Sequence, residues 1–101
     1  MTKTELIKTV RDTVAESEVF EGVTVTTKDA AVYVDTINET IQDAVINGEK
    51  VSITGFGSFE AVKRAARKGK NPQTGEDIDI PESKVPKFKA GKNFRDLVKN
   101  S

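Results

Sequence analysis

Gly55–Gly75 reads GFGSFEAVKRAARKGKNPQTG, and the reading of the whole chain turns on it. The stretch begins as an aromatic-rich strand, passes into a run dense in Lys and Arg, and turns at Asn71-Pro72-Gln73-Thr74-Gly75. Lys63, Arg64, Arg67, Lys68 and Lys70 place five positive charges in eight residues with no acid among them. That is a local electrostatic footprint for a polyanion, inside a chain whose formal charge is zero. Strict strand alternation sends Arg64, Lys68 and Lys70 one way and Lys63 and Arg67 the other, unless a bulge intervenes. Either way the expected strand is cationic on both faces.

After the turn, Glu76–Ile80 alternates again, with Ile78 and Ile80 on one side. Residues 63–80 therefore read as a long hairpin with almost nothing to bury. A ribbon of that kind is not stable as packed interior, so it reads as an arm, mobile when free and ordered by a ligand. A two-stranded ribbon fits a DNA groove, where Lys and Arg meet phosphates on both walls. Ala65, Ala66 and Gly69 keep it slim. Pro72 at the tip is rigid, apolar and free of an N–H, the character of a residue that wedges between base pairs and kinks a duplex. Asn71 and Gln73 flank it and join the candidate DNA contacts. Two plainer readings stand beside these. Asn-Pro with a nearby Gly is a good β-turn by itself. Lysines also protect strand edges, but edge protection needs one or two charges and leaves the lack of large apolar residues unexplained.

Outward from the arm, Thr2–Ala15 has Leu6, Ile7, Val10 and Val14 at helical spacing, and Thr2 with Glu5 fits a capping box. Glu18–Thr26, EVFEGVTVT, reads as a loop or a small hairpin around Gly22. A second helix begins near Lys28, capped by Thr26 or Thr27, with Asp29 in its first turn. Ala30, Val34, Ile37, Ile41, Ala44 and Val45 form its apolar stripe, and Asn47-Gly48 ends it. Val51–Thr54 alternates as a half-buried strand. Gly55 and Gly57 then mark a bend or bulge, after which Ser58–Val62 resumes the strand. Pro81 and Pro86 suit an edge strand. Asn93–Lys99 supplies one or two turns of a final helix, with Phe94, Leu97 and Val98 as its apolar side.

A chain of 101 residues supports one domain. With 36% apolar residues and only five Phe and one Tyr, a monomer has little to bury, and dimerisation is a natural remedy. There is no Cys and no His, so no disulfide, no thiolate metal site and no histidine base. No apolar run approaches a membrane span, and Met1–Val10 lacks the apolar centre of a signal peptide. A cytoplasmic protein is expected. Residues 1–50 hold five Lys/Arg against ten Asp/Glu, and residues 51–101 hold eleven against six, which reads as an acidic body and a basic working surface. Gly55-Phe56-Gly57 lacks the third Gly of a dinucleotide loop. Asp77 and Asp79 have too few oxygens near them in sequence to hold a hard cation. No metal, cofactor or small-molecule substrate is expected, and no nucleophile–base pair can be assembled for an enzyme.

The run GFGSFEAVKRAARKGKNPQTGEDIDIPESKVPKFKAGK, with KTELI at Lys3–Ile7 and GEKV at Gly48–Val51, resembles the HU/IHF family of bacterial histone-like DNA-bending proteins over essentially the whole chain. The resemblance implies an α+β fold in an intertwined homodimer or heterodimer. It has a two-helix body over residues 1–50, a three-stranded antiparallel sheet extended into β-ribbon arms over 51–90, and a short C-terminal helix over 91–101. It implies nucleoid association, DNA condensation, and arms that embrace the minor groove. Arg64, Arg67 and Lys70 become arm contacts and Pro72 the intercalating wedge. Lys84, Lys89, Lys92 and Arg95 become saddle or flank phosphate contacts. Phe56, Phe59 and Phe88 become dimer-core rings, and Lys3 and Asp35 a flank pair that tunes how much DNA is wrapped. Some features depart from the family pattern. The connection between the helices is longer than usual by roughly nine residues, an insert at about 16–26 that carries Glu16, Glu18 and Glu21. Val62 stands where many members have a basic residue, and Ala90 replaces a usual Pro.

The expected protein is non-catalytic and architectural, binding and bending double-stranded DNA with a preference for flexible or bent sites. The rivals are a protein-interaction or regulatory module using the acidic body and the insert, a binder of structured RNA, and, with least support, an enzyme.

Overall fold

The computed structural model describes residues 1–101. Helix α1 spans Lys3–Glu16, a single 3-10 turn Glu18–Phe20, and helix α2 Thr27–Ile46. Strands follow at β1 Val51–Ile53, β2 Gly57–Arg64, β3 Arg67–Lys70, β4 Asp77–Ile80 and β5 Ser83–Ala90, and helix α3 Lys92–Lys99 closes the chain. Two compact units result, residues 1–40 and 41–101, divided within α2. No helix is long and apolar enough to cross a membrane.

In the first unit, side chains fix where each helix begins. Thr2 caps α1, accepting from the Glu5 N–H at 3.2 Å. The cap on α2 is reciprocal. The Asp29 N–H donates to Thr26 Oγ1 at 3.1 Å, while the Thr26 N–H donates to Asp29 Oδ2 at 3.0 Å. Two orphan donors of the helix start are thereby satisfied by one pair. The Thr26 N–H first, and the Thr26 hydroxyl second, hold the Asp29 carboxyl below its ordinary value of 3.8. A lowered carboxylate pKa stabilises the fold above the ordinary value, and the contribution fades as pH falls through the depressed one. Between the helices the chain makes the 3-10 turn and then runs irregularly to Thr26, so the hairpin expected as one option for Glu18–Thr26 does not form. Its β-prone residues lack a partner strand. Val25, at its end, is buried with Ala30 and Val34, and these three are the buried apolar side chains of the chain.

In the second unit, α2 ends in paired carbonyl caps. The Glu49 N–H donates to Ala44 O at 2.9 Å and the Gly48 N–H to Val45 O at 3.0 Å, the two bonds of a Schellman stop. The sheet has the order β1-β2-β5, all antiparallel. Of the bend or bulge expected at Gly55–Gly57, no bulge forms, and the change of direction is a full hairpin turn. Ile53 pairs with Gly57 and Val51 with Phe59, so the chain reverses over Thr54–Phe56. Gly55 takes a φ of +84°, a left-handed value that glycine adopts without strain, and the Phe56 N–H closes the turn on Ile53 O at 3.0 Å. Two glycines flanking a ring suit a bulge and a tight turn equally, and only the cross-strand register separates them.

One face of the sheet is apolar. By register it carries Val51, Ile53, Phe59, Ala61, Pro86, Phe88 and Ala90. Four phenylalanines gather in this unit. Phe59 and Phe88 lie 4.8 Å apart between ring centres, Phe56 and Phe88 5.1 Å, and Phe56 stacks on Phe94 of α3 at 5.4 Å. The cluster is nevertheless half-open, with Phe56 41% and Phe88 40% exposed.

The tightest point beneath those rings is Gly57. A Cβ there would sit 2.5 Å from the Lys89 carbonyl oxygen and 2.7 Å from the Phe88 ring. The carbonyl belongs to the paired strand and has no room to retreat. Gly57→Ala is therefore expected to destabilise the fold by about 1–3 kcal/mol, read as a lower midpoint in urea unfolding.

Candidate nucleic-acid interface

The basic ribbon is a separate two-stranded sheet, β3 with β4. It is not the uninterrupted strand expected from Lys63 to Lys70. β2 stops at Arg64 and β3 starts at Arg67, with Ala65 and Ala66 in neither. Arg67 pairs with Ile80, Lys68 with Asp79, Gly69 with Ile78 and Lys70 with Asp77. Directly opposed residues share a face, so Lys68, Lys70, Asp77 and Asp79 lie together and Arg67, Gly69, Ile78 and Ile80 lie on the other side. The expected alternation holds, with Lys68 and Lys70 on one face and Arg67 on the other, and the expectation of a cationic surface is corrected for the first face only. One face has two cations matched by two carboxylates, and the other has one arginine on a small apolar strip. Reading a single strand missed this because Asp77 and Asp79 enter only through the register of the return strand. Neither cross-strand pair closes to an ion pair; the three that form are Lys3–Asp35, Arg11–Asp12 and Lys63–Glu82.

The tip is held by its own polar groups. The Gln73 N–H donates to Asn71 Oδ1 at 2.9 Å, the Asn71 N–H to Glu76 O at 2.8 Å, and the Gly75 N–H to Asn71 O at 2.7 Å. Asn71 thus spends its side-chain oxygen on the turn. Pro72 and Gln73 stand exposed at the end of the ribbon.

On the three-stranded sheet, parity sorts the candidate cations. Ser58 pairs with Lys89, Glu60 with Lys87, Val62 with Val85 and Arg64 with Ser83, which puts Arg64, Lys87 and Lys89 on the polar face. Lys63 and Lys84 are partners on the opposite face, beyond Ala61 and Pro86. The structure therefore separates Lys84 from Lys89, two residues grouped by sequence as saddle or flank contacts. It also places Lys87 on the polar face, which sequence reasoning missed although its alternation with Pro86 and Phe88, in step with Lys89, was there to read. On α3, Lys92 and Arg95 are both exposed, and Arg95 with Lys99 edges an open hollow of about 290 Å3 lined by Ala90, Phe94 and Val98. In the first unit, Lys3 Nζ and Asp35 Oδ1 meet at 2.8 Å. The Asp35 hydrogen bond, and then its charge, raise the Lys3 ammonium above its ordinary 10.5. That contribution is complete below the ordinary value and is lost as pH rises through the raised one.

A helical unit, an antiparallel sheet with one polar and one apolar face, and a basic ribbon ending in an exposed proline together define a β-arm protein of the DNA-binding class. The family described as Bacterial DNA-binding protein matches residues 1–99. DNA-binding protein HU of Staphylococcus aureus (strain COL) is 52% identical over 99 residues, covering 98% of this chain and 100% of that protein. DNA-binding protein HU 1 of Bacillus subtilis (strain 168) is 50% identical over 98 residues, covering 97% of each. Among solved structures, an Anabaena HU–DNA cocrystal structure matches with a TM-score of 0.78 at 46% identity, covering 97% of both chains. The chain belongs to the HU family of bacterial DNA-binding proteins.

The polar face of the sheet yields a direct test. Lys87→Ala and Lys89→Ala are each expected to reduce the log–log salt dependence of duplex binding by about one. Mobility-shift titrations at several salt concentrations read this, and an unchanged slope for Lys87→Ala removes it from the interface.

Proposed function

We propose that two copies of this chain pair into one body whose two arms enter the minor groove of double-stranded DNA and bend it. The observation that carries this reading is the ribbon β3–β4. It holds no buried residue, ends in an exposed proline, and has no interior to serve. Arg64, Arg67, Lys68 and Lys70 contact phosphates along the arm, joined by Asn71 and Gln73 at the tip. Lys87 and Lys89 contact the backbone from the sheet, with Lys63 and Lys84 at the arm base and Lys92 and Arg95 on α3. Pro72 wedges between base pairs, costing a few kcal/mol of stacking that the added phosphate contacts offset. A minor-groove ribbon reads little base identity, so preference follows deformability. Lys3 and Asp35 form the flank pair that tunes the length of duplex engaged. The protein is architectural rather than catalytic, and its place is on the nucleoid.

Pairing of two copies is supported by what each copy leaves uncovered. No large side chain is fully buried, while Leu6, Ile37, Phe56, Phe88 and Leu97 are exposed. Covering such surface drives association. Phe56, Phe59 and Phe88 supply the rings of that interface, and Phe94 joins them through its stack on Phe56. Sedimentation equilibrium is expected to return twice the chain mass, and a monomer at micromolar concentration contradicts the pairing.

The decisive experiment is a mobility-shift titration on linear, nicked and kinked duplexes across salt. Binding is expected to weaken with a slope of about −0.9 per phosphate neutralised and to favour the nicked and kinked forms. Pro72→Ala is expected to lower the bend angle measured by FRET more than it lowers affinity. A bend unchanged in that variant removes the wedge.

A further inference from the structure

The ladder of the ribbon is broken once. Arg64↔Ser83 is the last pair of β2 with β5, and Arg67↔Ile80 the first of β3 with β4. Ala65, Ala66, Pro81 and Glu82 fall between them, outside any strand and exposed. Pro81 has no N–H to give a ladder.

Beside this gap two like charges face each other. Lys63 and Lys84 are direct cross-strand partners, an arrangement that repels. A carboxylate from the gap relieves it. Glu82 Oε1 lies 2.7 Å from Lys63 Nζ, with the two side chains 52% and 66% exposed. Glu82 is two residues before Lys84, the diagonal neighbour of Lys63 across the strands. Lys84 itself forms no ion pair, since the three pairs of the structure involve other residues. Two ammonium groups with one carboxylate between strands amount to an anion site filled from within the chain.

We propose that Lys63 and Lys84 form a phosphate-binding site at the base of the arm, and that Glu82 is its resident competitor. The proposal rests on the DNA-binding reading above and extends it to a control on one contact. A phosphate arriving at Lys63 meets a carboxylate that repels it and already holds the ammonium. Binding there is an exchange of one anion for another. An exchange of that kind releases little counterion, so the salt dependence is shallower than the number of cations implies. An exposed pair is weak, so the brake is modest, about two- to five-fold in affinity. It acts where the ladder is already open, between the last pair of β2 with β5 and the first of β3 with β4.

The test is a double-variant cycle on one linear duplex, using the unaltered protein, Glu82→Gln, Lys63→Gln and both together. Glu82→Gln is expected to tighten binding about two- to five-fold at low salt and to steepen the log–log slope by about 0.9. In the Lys63→Gln background the same change is expected to give no gain. Equal gain in both backgrounds means that Glu82 acts only as bulk negative charge, and no gain in either means that it does not compete; each outcome overturns the proposal. A second readout needs no duplex. Inorganic phosphate titrated against the Lys63 side-chain NMR signals is expected to saturate at lower concentration in Glu82→Gln. An unchanged phosphate titration overturns the anion site while leaving the DNA-binding reading intact. The expected phosphate result with no duplex binding by any variant overturns the DNA-binding reading and leaves the anion site standing.

Discussion

Eight register pairs between β2 and β5 hold the rest of the second unit in place. They set Phe59 opposite Phe88, gather the apolar side chains on one face, and leave Arg64, Lys87 and Lys89 on the other. They also set the direction in which the chain departs toward β3 and returns from β4. The tolerance at the centre of this pairing is small, because Gly57 lies under the Phe88 ring and against the Lys89 carbonyl. A shift of one residue would exchange the two faces, exposing the phenylalanines and turning the lysines inward. The interface is thus a by-product of strand parity, and it is only as well defined as that register.

Charge in this protein is a matter of address rather than amount. The total is zero, and the halves nearly mirror each other in sign. Within the basic half, carboxylates are interleaved again, with Asp77 and Asp79 across from Lys70 and Lys68, Glu60 across from Lys87, and Glu82 on Lys63. Each is exposed or half-exposed and held in high dielectric, so each moderates its partner without neutralising it. The ribbon therefore offers a moderated positive field.

Much of this was legible in the sequence, for identifiable reasons. Helices α1 and α2 follow from apolar spacing and from Thr2, Thr26 and Asp29, whose capping chemistry is local. The arm follows from a run that is too polar to be interior, and its turn from Asn71 and Pro72. What escaped depends on distant partners. The hairpin at Gly55 was read only as a bend or bulge, because a bulge and a tight turn differ only in which residues end up opposed. The alternation of Arg67 against Lys68 and Lys70 was read correctly, but the carboxylates that offset one face of the ribbon were missed because Asp77 and Asp79 count only once the return strand is in register. Lys87 was passed over within a strand whose neighbours were named, and Phe94 was placed on its helix but not in the ring cluster. The roles of individual side chains on DNA came from family resemblance, since no single-chain pattern specifies a phosphate.

The reciprocal bonds between Thr26 and Asp29 have an effect beyond their own helix turn. They determine where α2 starts without reference to the residues upstream, so the rotational phase of that helix is insulated from the segment leading into it. Ser17 to Val23 can therefore lengthen, shorten or change composition while every later side chain keeps its heading. In an evolving lineage this makes the junction a permissive splice point, where new surface is grafted without retuning the helix that follows.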